Sequence, residues 1–382
     1  MDFDLSEEQR LLRDSVERLI ADRYGFEQRT TYGKRPEGFS PELWSAYADL
    51  GLLGLPFAED DGGFGGGPIE TMIVMEAFGR GLVLEPYLAT VILAGGLLRH
   101  AGSADQKAAL IPRISAGEVV LAFAHAERQS RNSLSDVAAT ARSDGVNWVL
   151  DGEKSLVLHG DHADQLIVSA RISGARRDRA GIGLFLIDAG APGVTRRGYP
   201  TQDGLRAAEI SLAGAHGVAL GTPGEAFPHI ARVVDEAIAA LCAEAVGVMA
   251  MMHETTVDYL KQRKQFGRAI GEFQVLQHRA VDMFVALEQA RSMALFATVM
   301  ATEPDATERR RAMCAAKVQI GRSGRQVGQE AVQLHGGIGM TMEYKVGHYF
   351  KRMAMIDLMF GDADAHLVEL AELGGLFGRD AA

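Results

Sequence analysis

Two segments of the chain combine residue types that suit the binding of a phosphorylated, ring-bearing molecule. The first is Arg263-Lys264-Gln265-Phe266-Gly267-Arg268, which gathers three cations and an aromatic ring. It follows a long run of helical periodicity, so its cations sit at a helix C-terminus, where the macrodipole favours positive charge. A fixed guanidinium suits a phosphate, and an aromatic ring suits a flat heterocycle. Taken alone, the same run also reads as a solvated helix end. The second segment is Gln333-Leu334-His335-Gly336-Gly337-Ile338-Gly339-Met340. Its glycines could turn backbone N–H groups toward an anion or simply cap the preceding helix. His335 in that setting reads as a structural hydrogen-bonder.

The elements that must position these residues follow from hydrophobic period. Ser6 and Gln9 form the pattern of a capping box, and Leu12, Val16, Leu19 and Ile20 recur at helical spacing behind it. Helical patterns continue through Pro41–Leu53, Ile69–Arg80, Leu88–His100 and Ser103–Ala116. The glycine-rich stretch Asp60–Pro68 between them reads as a loop, either a connector or a place where a ligand approaches. From about Glu118 the period shortens. VVLAFAHAE, VNWVL, KSLVLH, QLIVSA, GLFLID, GVTRR and AEISL are read as short strands of a compact antiparallel sandwich or barrel. No strand leads through GxGxxG into a helix, so a Rossmann nucleotide site is not expected. After Pro223 helical patterns return over Ala231–Arg263, Phe273–Thr302, Thr307–Leu334 and Ala363–Leu373, which predicts a four-helix bundle. Gly321, Ser323, Gly324 and Gly328 would let neighbouring helix backbones approach the third of these. The expected class is α+β multidomain: a helical domain over 1–117, a β domain over 118–222 and a helical bundle over 223–382.

Composition bounds the partners. The 382 residues are 47% hydrophobic and 23% charged, and 39 basic against 50 acidic residues give 39 − 50 = −11. Such a balance argues against nucleic acid or an anionic membrane as the main partner, and leaves room for a local basic pocket. Cys242 and Cys314 alone build neither a disulfide framework nor a zinc site, so no metal is expected. The acidic start and the lack of a long apolar run predict a cytoplasmic protein without a membrane span.

In this order, and about seventy residues apart, the two segments resemble the acyl-CoA dehydrogenase family, with its R-x-x-F-G and Q-x-x-G-G-x-G elements. The α–β–α order extends that resemblance over essentially the whole chain. It implies FAD, with Arg263, Gln265, Phe266, Gln333, Gly336 and Gly337 contacting the adenosine diphosphate half of a neighbouring subunit's flavin. Other family signatures are altered. Where an aromatic-x-x-Thr-Glu-Pro segment embraces the flavin ring, this chain has Phe123-Ala124-His125-Ala126-Glu127-Arg128, so the hydroxyl position is Ala126. Where Trp-Ile-Thr-Asn-Gly follows, it has Leu156-Val157-Leu158-His159-Gly160. His125 and His159 are polar substitutes or structural residues. The base glutamate of many relatives corresponds to Gly361 in Phe360-Gly361-Asp362-Ala363, with Asp362 next to it as the catalytic candidate; the alternative base position of others corresponds to Ala237, with Glu236 beside it, and the ordinary reading of both acids is a solvated surface carboxylate.

The resemblance implies α,β-dehydrogenation of an acyl-CoA thioester, with an electron-transfer flavoprotein or similar acceptor. Kept adenosine-side elements with altered ring-side and base positions are similar to the small subunits of heteromeric acyl-CoA dehydrogenases, which act on bulky or dicarboxylic substrates such as steroid side chains. A homo- or hetero-tetramer with a second subunit of the family is therefore expected. The alternatives are a catalytically silent structural subunit that completes a partner's flavin site, and an oxidase or monooxygenase with altered chemistry.

Overall fold

The computed structural model describes residues 4–145 and 147–375. Val146, the expected start of the second strand, and the chain ends 1–3 and 376–382 lie outside the described residues. Helices α1 (Glu7–Arg23), α2 (Phe26–Tyr32), α3 (Pro41–Asp49), α4 (Pro68–Gly81), α5 (Gly95–Ala101) and α6 (Ala104–Ser115) come first. Strands β1 (Leu121–Ala124), β2 (Thr140–Ser143), β3 (Trp148–Leu158), β4 (Gln165–Arg171), β5 (Ile182–Asp188), β6 (Val194–Pro200) and β7 (Arg206–Leu220) follow. Then come α7 (Phe227–Gln262), the two-residue strands β8 (Lys264–Gln265) and β9 (Arg268–Ala269), and helices α8 (Gln274–Met300), α9 (Ala306–His335), α10 (Lys345–Leu358) and α11 (Ala363–Glu372). Contacts gather these into two units, one of Tyr32–Gly67 with Leu84–Ala237, the other of the residues up to Thr31 with Pro68–Val83 and the chain from Ile238 onward.

Local signals explain many boundaries. Ser6 and Ser103 each cap a helix through a reciprocal box with Gln9 and Gln106, and Ser40, Asp305 and Asp362 cap α3, α9 and α11. The run expected as one helix over Leu88–His100 is instead a π-helical turn over Leu88–Ala94 continuing into α5, and every residue of that turn is buried. The Asp60–Pro68 loop folds back on its own chain: Gly63 N–H donates to the Ala58 carbonyl, and a Cβ on Gly63 would lie 2.3 Å from the Phe57 carbonyl oxygen. Its glycines serve close self-packing in the chain (Glu59–Asp61 forms a 3₁₀ turn just before them).

In the first unit the strands form one sheet whose ladders run β4–β5–β7–β3–β2 and return to β4, a closed circuit with β6 added on β7 and β1 on β4. Most pairs are antiparallel, as expected, but β1 and β2 pair β4 in parallel. VNWVL and KSLVLH, read from sequence as two strands split by a turn, are one strand: Asp151 and Gly152 stay in the β3 ladder opposite Ala213 and Leu212, with a register shift. Gly152, at φ 142°, absorbs that irregularity without a side chain.

In the second unit α9 is the central helix, packed by α8, α10 and α11. Helix α10 was not among the four expected helices, although Val346, Tyr349, Met353 and Ile356 recur in it at helical spacing. It explains the small residues of α9: a Cβ on Gly321, Gly324 or Gly328 would meet the α10 side chains of Asp357, Met353 and Phe350 at 2.1, 2.4 and 2.6 Å. The expected backbone approach belongs instead to α4 and α7, where a Cβ on Gly79 would lie 2.0 Å from the Glu244 carbonyl oxygen and one on Gly247 2.0 Å from that of Glu76. Among the described residues no helix is long and apolar enough to cross a membrane.

Alanine normally stabilises a helix over glycine by about 1 kcal/mol. At Gly79 or Gly247 it must push a neighbouring backbone aside, so Gly79→Ala and Gly247→Ala should each cost roughly 1–3 kcal/mol in urea unfolding. A stabilised variant would mean that α4 and α7 do not cross there.

Candidate functional site

In the helical unit, Arg263 closes α7 and the chain turns at once through the β8–β9 hairpin, with Phe266 and Gly267 at its tip. Phe266 is 91% exposed and held at φ 54°. Arg263, Lys264, Gln265 and Arg268 are exposed too, and the Arg268 guanidinium covers the Phe273 ring at 4.8 Å. The second segment starts in the last turn of α9, where Gln333 is exposed, and passes into a 3₁₀ turn at Gly336–Met340. The fold joins the two. Tyr259, one turn before Arg263, has its ring 4.5 Å from that of His335, and Tyr344 flanks His335 from another side at 5.1 Å. His335 is buried and its Nδ1 lies 2.8 Å from the Ala331 carbonyl oxygen, the structural role expected for it.

Around this seam nothing stands within 4 Å of the position a Cβ would take at Gly267, Gly336 or Gly337, and Gly336 is at φ 64°. Bare, open backbone beside an exposed guanidinium fits an extended anionic group such as a pyrophosphate. Thus Arg263, Gln265, Phe266, Gln333, Gly336 and Gly337 lie on two segments that the Tyr259–His335 contact ties together.

Asp362 belongs to a different part of this unit. Its Oδ1 accepts the Ala365 N–H at 2.8 Å, capping α11. Gly361 before it is at φ 107° and Phe360 at φ 59°, so the turn rests on left-handed backbone. The turn is held from below by Lys317, which sequence reading overlooked inside an ordinary α9 pattern. This fully buried lysine donates to the Ile356 and Asp357 carbonyls at 2.6 and 3.0 Å, at the end of α10. Burial pushes its ammonium down to about 8. Cys314, His366 and Glu369 bring potential ligand atoms within 4.8 Å of one another. Both Glu369 oxygens already accept from Arg310 at 2.7 Å, so a guanidinium stands where a metal would need that carboxylate.

In the β unit the segment from Phe123 to Glu127 is anchored by a buried ion pair that the sequence did not reveal. Lys154, 1% exposed, donates to Glu127 Oε1 at 2.6 Å, to Ser169 Oγ at 3.1 Å and to the His125 carbonyl at 3.1 Å. Glu127 also accepts the Ala138 and Ala139 N–H groups at 2.8 and 3.1 Å. Burial opposes its ionisation, but the Lys154 charge and hydrogen bond outweigh that and hold the carboxyl below its usual range. His125 has its Nδ1 2.8 Å from Ser169 Oγ and stacks on Phe123 at 5.2 Å. His159 is buried at φ 51°, its ring 5.9 Å from that of Phe39. Leu156, at φ 53°, shares this irregular end of β3. Glu236 is not the solvated acid expected from its neighbours in sequence. It takes Arg99, His100 and Arg232, the last two at 2.9 and 3.0 Å. Its burial works against ionisation, yet the His100 hydrogen bond and the Arg99 charge hold it down at about 2. Ala237 beside it is fully buried.

Removing Lys154 strands a buried carboxylate. Lys154→Met should cost about 3–5 kcal/mol in urea unfolding, and the double variant Lys154→Met with Glu127→Gln should recover most of it. Equal losses in both would show that the pair is not coupled. His366, 1% exposed, is pushed down to about 3 by burial and by the Arg310 and Lys317 charges. Its folded pKa lies below the unfolded value of about 6.5. The neutral form therefore contributes stability that is complete above about pH 6.5 and lost as pH falls toward 3, at about 1.4 kcal/mol per pH unit. Unfolding free energies should fall by about half that slope between pH 7 and 6 and approach it between pH 6 and 5, and His366→Gln should flatten the profile by about one proton.

Comparison with known proteins meets this geometry. Residues 6–118 match the acyl-CoA dehydrogenase N-terminal domain, 122–213 the middle domain and 227–373 the C-terminal domain. Acyl-CoA dehydrogenase FadE12 of Mycobacterium tuberculosis is 30% identical over 356 residues, 89% of each chain. Among solved structures, a Tcur3481–Tcur3483 steroid ACAD variant is 30% identical with a TM-score of 0.86, covering 96% of this chain and 97% of that one. The ChsE4–ChsE5 complex from Mycobacterium tuberculosis is 25% identical with a TM-score of 0.86, covering 97% and 98%. With all three domains matched in order, the chain belongs to the acyl-CoA dehydrogenase family of FAD-dependent oxidoreductases.

Proposed function

We propose that this chain is the base-lacking subunit of a heteromeric acyl-CoA dehydrogenase that desaturates a bulky or dicarboxylic acyl-CoA between its α and β carbons. The observation that carries it is the state of the acids nearest the expected base positions. Gly361 has no side chain, Asp362 spends an oxygen on the α11 cap, and Glu236 is bound by Arg99, Arg232 and the His100 ring and held down at about 2. A general base works best with a pKa near the operating pH and an oxygen free to meet the proton. The partner subunit then brings the carboxylate. The two heteromer-named structures similar to this chain, one of them termed a steroid ACAD, support that reading.

FAD is the cofactor, and when bound it accepts the hydride from the β carbon. Arg263 would pair with its pyrophosphate, the Gln333–Gly337 turn would lie along it, and Gln265 and Phe266 would contact the adenosine side, all toward a neighbouring subunit's flavin. The Lys154–Glu127 pair keeps the Phe123–Glu127 segment fixed, and the Lys317 contacts keep the Phe360–Asp362 turn fixed. Within this reading the domains divide at 117/118 and 222/223, the complex is cytoplasmic, and an electron-transfer flavoprotein or similar acceptor reoxidises it. The alternative, a silent subunit that only completes a partner's flavin site, is supported by the same acids and differs in whether this chain contacts substrate.

Co-expression with a second subunit of the family and assay of an acyl-CoA panel with a dye acceptor tests this. The complex should turn over and hold FAD, and Asp362→Asn in the complex should change the rate only a few-fold. A true general base would lose about 10²–10⁴-fold. Robust turnover by the chain alone, abolished by Asp362→Asn, would make it self-sufficient and overturn the reading.

A further inference from the structure

His335 is the last residue of α9 and leads directly into Gly336. Its ring lies between two tyrosines, Tyr259 on α7 at 4.5 Å and Tyr344, the residue before α10, at 5.1 Å. The turn that follows folds back over it, and a Cβ on Gly339 would lie 3.1 Å from His335 Cβ. Beyond the ring contact, the Tyr259 carbonyl accepts the Arg263 N–H at 2.8 Å. The imidazole thus stands one residue from the glycine turn and one side-chain contact from the helix end that carries Arg263.

The protons on this ring can be placed. The Ala331 carbonyl can only accept, so Nδ1, 2.8 Å away, carries the hydrogen, and in a neutral ring Nε2 is then a bare acceptor. Burial pushes the imidazole down from its ordinary range and so favours that neutral form. His335 is 3% exposed, yet among the described residues Nε2 has no hydrogen-bond partner. Thr255, one turn before Tyr259 on the same face of α7, is 6% exposed and its hydroxyl has no such partner either. Buried polar groups left without a bond lower stability, and an apolar ring would fill the space without that loss. A local rule broken beside a binding segment is expected where function holds the residue. What an imidazole supplies and an apolar ring does not is the Nδ1–H bond, which fixes the plane of the ring against the last turn of α9.

We propose that His335 is a positioning residue for the pyrophosphate of the cofactor. Its ring, pinned to Ala331 and clasped by Tyr259 and Tyr344, sets how the Gly336–Gly337 backbone stands relative to Arg263. The open amides and the guanidinium are then arranged before the anion arrives, which lowers the cost of binding it. The inference rests on the assignment of these two segments to FAD.

His335→Phe tests it, since phenylalanine keeps a flat ring between the tyrosines and loses only the nitrogens. In the co-expressed complex this variant should hold FAD about tenfold more weakly, the loss expected when an ordering step is returned to the binding event. On the full chain its urea midpoint should equal or exceed that of the unaltered protein, because the unpartnered nitrogen is gone. Nuclear magnetic resonance of the full chain should show the Nδ1–H tautomer of His335 at neutral pH, and His335→Phe should shift the Gly336 and Gly337 amide signals. Unchanged flavin affinity in His335→Phe beside a clear loss in Arg263→Ala would remove this inference and leave the cofactor assignment standing. No loss in either would remove both. A lowered urea midpoint or a variant that does not fold would make His335 a packing residue, and unmoved glycine signals would deny it any hold on the turn. The tautomer needs no variant, and an Nε2–H form in the unaltered protein would overturn the proposal outright.

Discussion

A single ammonium group buried inside the β unit organises much of what surrounds it. Lys154 enters from β3 and has contacts on the segment after β1, on β4 and, through Glu127, on the backbone leading into β2. Desolvating a lysine and a glutamate together is costly, and the attraction repays it only when the remaining lone pairs and protons are also satisfied. Here they are, by Ser169, the His125 carbonyl and two backbone N–H groups. Such an arrangement tolerates little displacement, so the Phe123–Glu127 segment is fixed in register relative to three strands. That rigidity suits a segment expected to lie along a flavin, because a preorganised contact costs less to form than one that must be ordered at binding.

Backbone strain marks the same regions from another direction. Of the six described non-glycine residues with positive φ, four (Leu156, His159, Phe266 and Phe360) fall in segments singled out by chemistry or resemblance. Each costs on the order of 1–3 kcal/mol and persists only where the surroundings impose it. At Phe360 the imposing groups are visible: Lys317 holds the end of α10, and Asp362 holds the start of α11.

The layered order of helices, strands and helices was legible because the hydrophobic period changes, and helix starts were legible where Ser and Asp act through local hydrogen bonds. Helix α10 was overlooked although its buried Val346, Tyr349, Met353 and Ile356 recur at helical spacing, because the segment follows the glycine-rich turn and carries no side-chain N-cap to mark its start. The break at Asp151-Gly152 looked like a hairpin because turn residues and a strand irregularity share the same composition. The cofactor segments could be named from their motifs, but the Tyr259–His335 contact that joins them could not, since it depends on a seventy-six-residue separation (335 − 259) closing in space. The roles of Lys154, Lys317 and Glu236 were invisible for the same reason. A charged residue announces burial only through partners that lie elsewhere in the chain.

Gly361 carries a consequence for how such a chain could change over time. At φ 107° its backbone lies where side chains rarely fit, and an added Cβ would come 3.1 Å from His366 Nε2. Any side chain placed here must either displace that imidazole or draw the turn out of its left-handed backbone. The link between α10 and α11 is thus a point of low sequence tolerance, set by backbone shape as much as by chemistry.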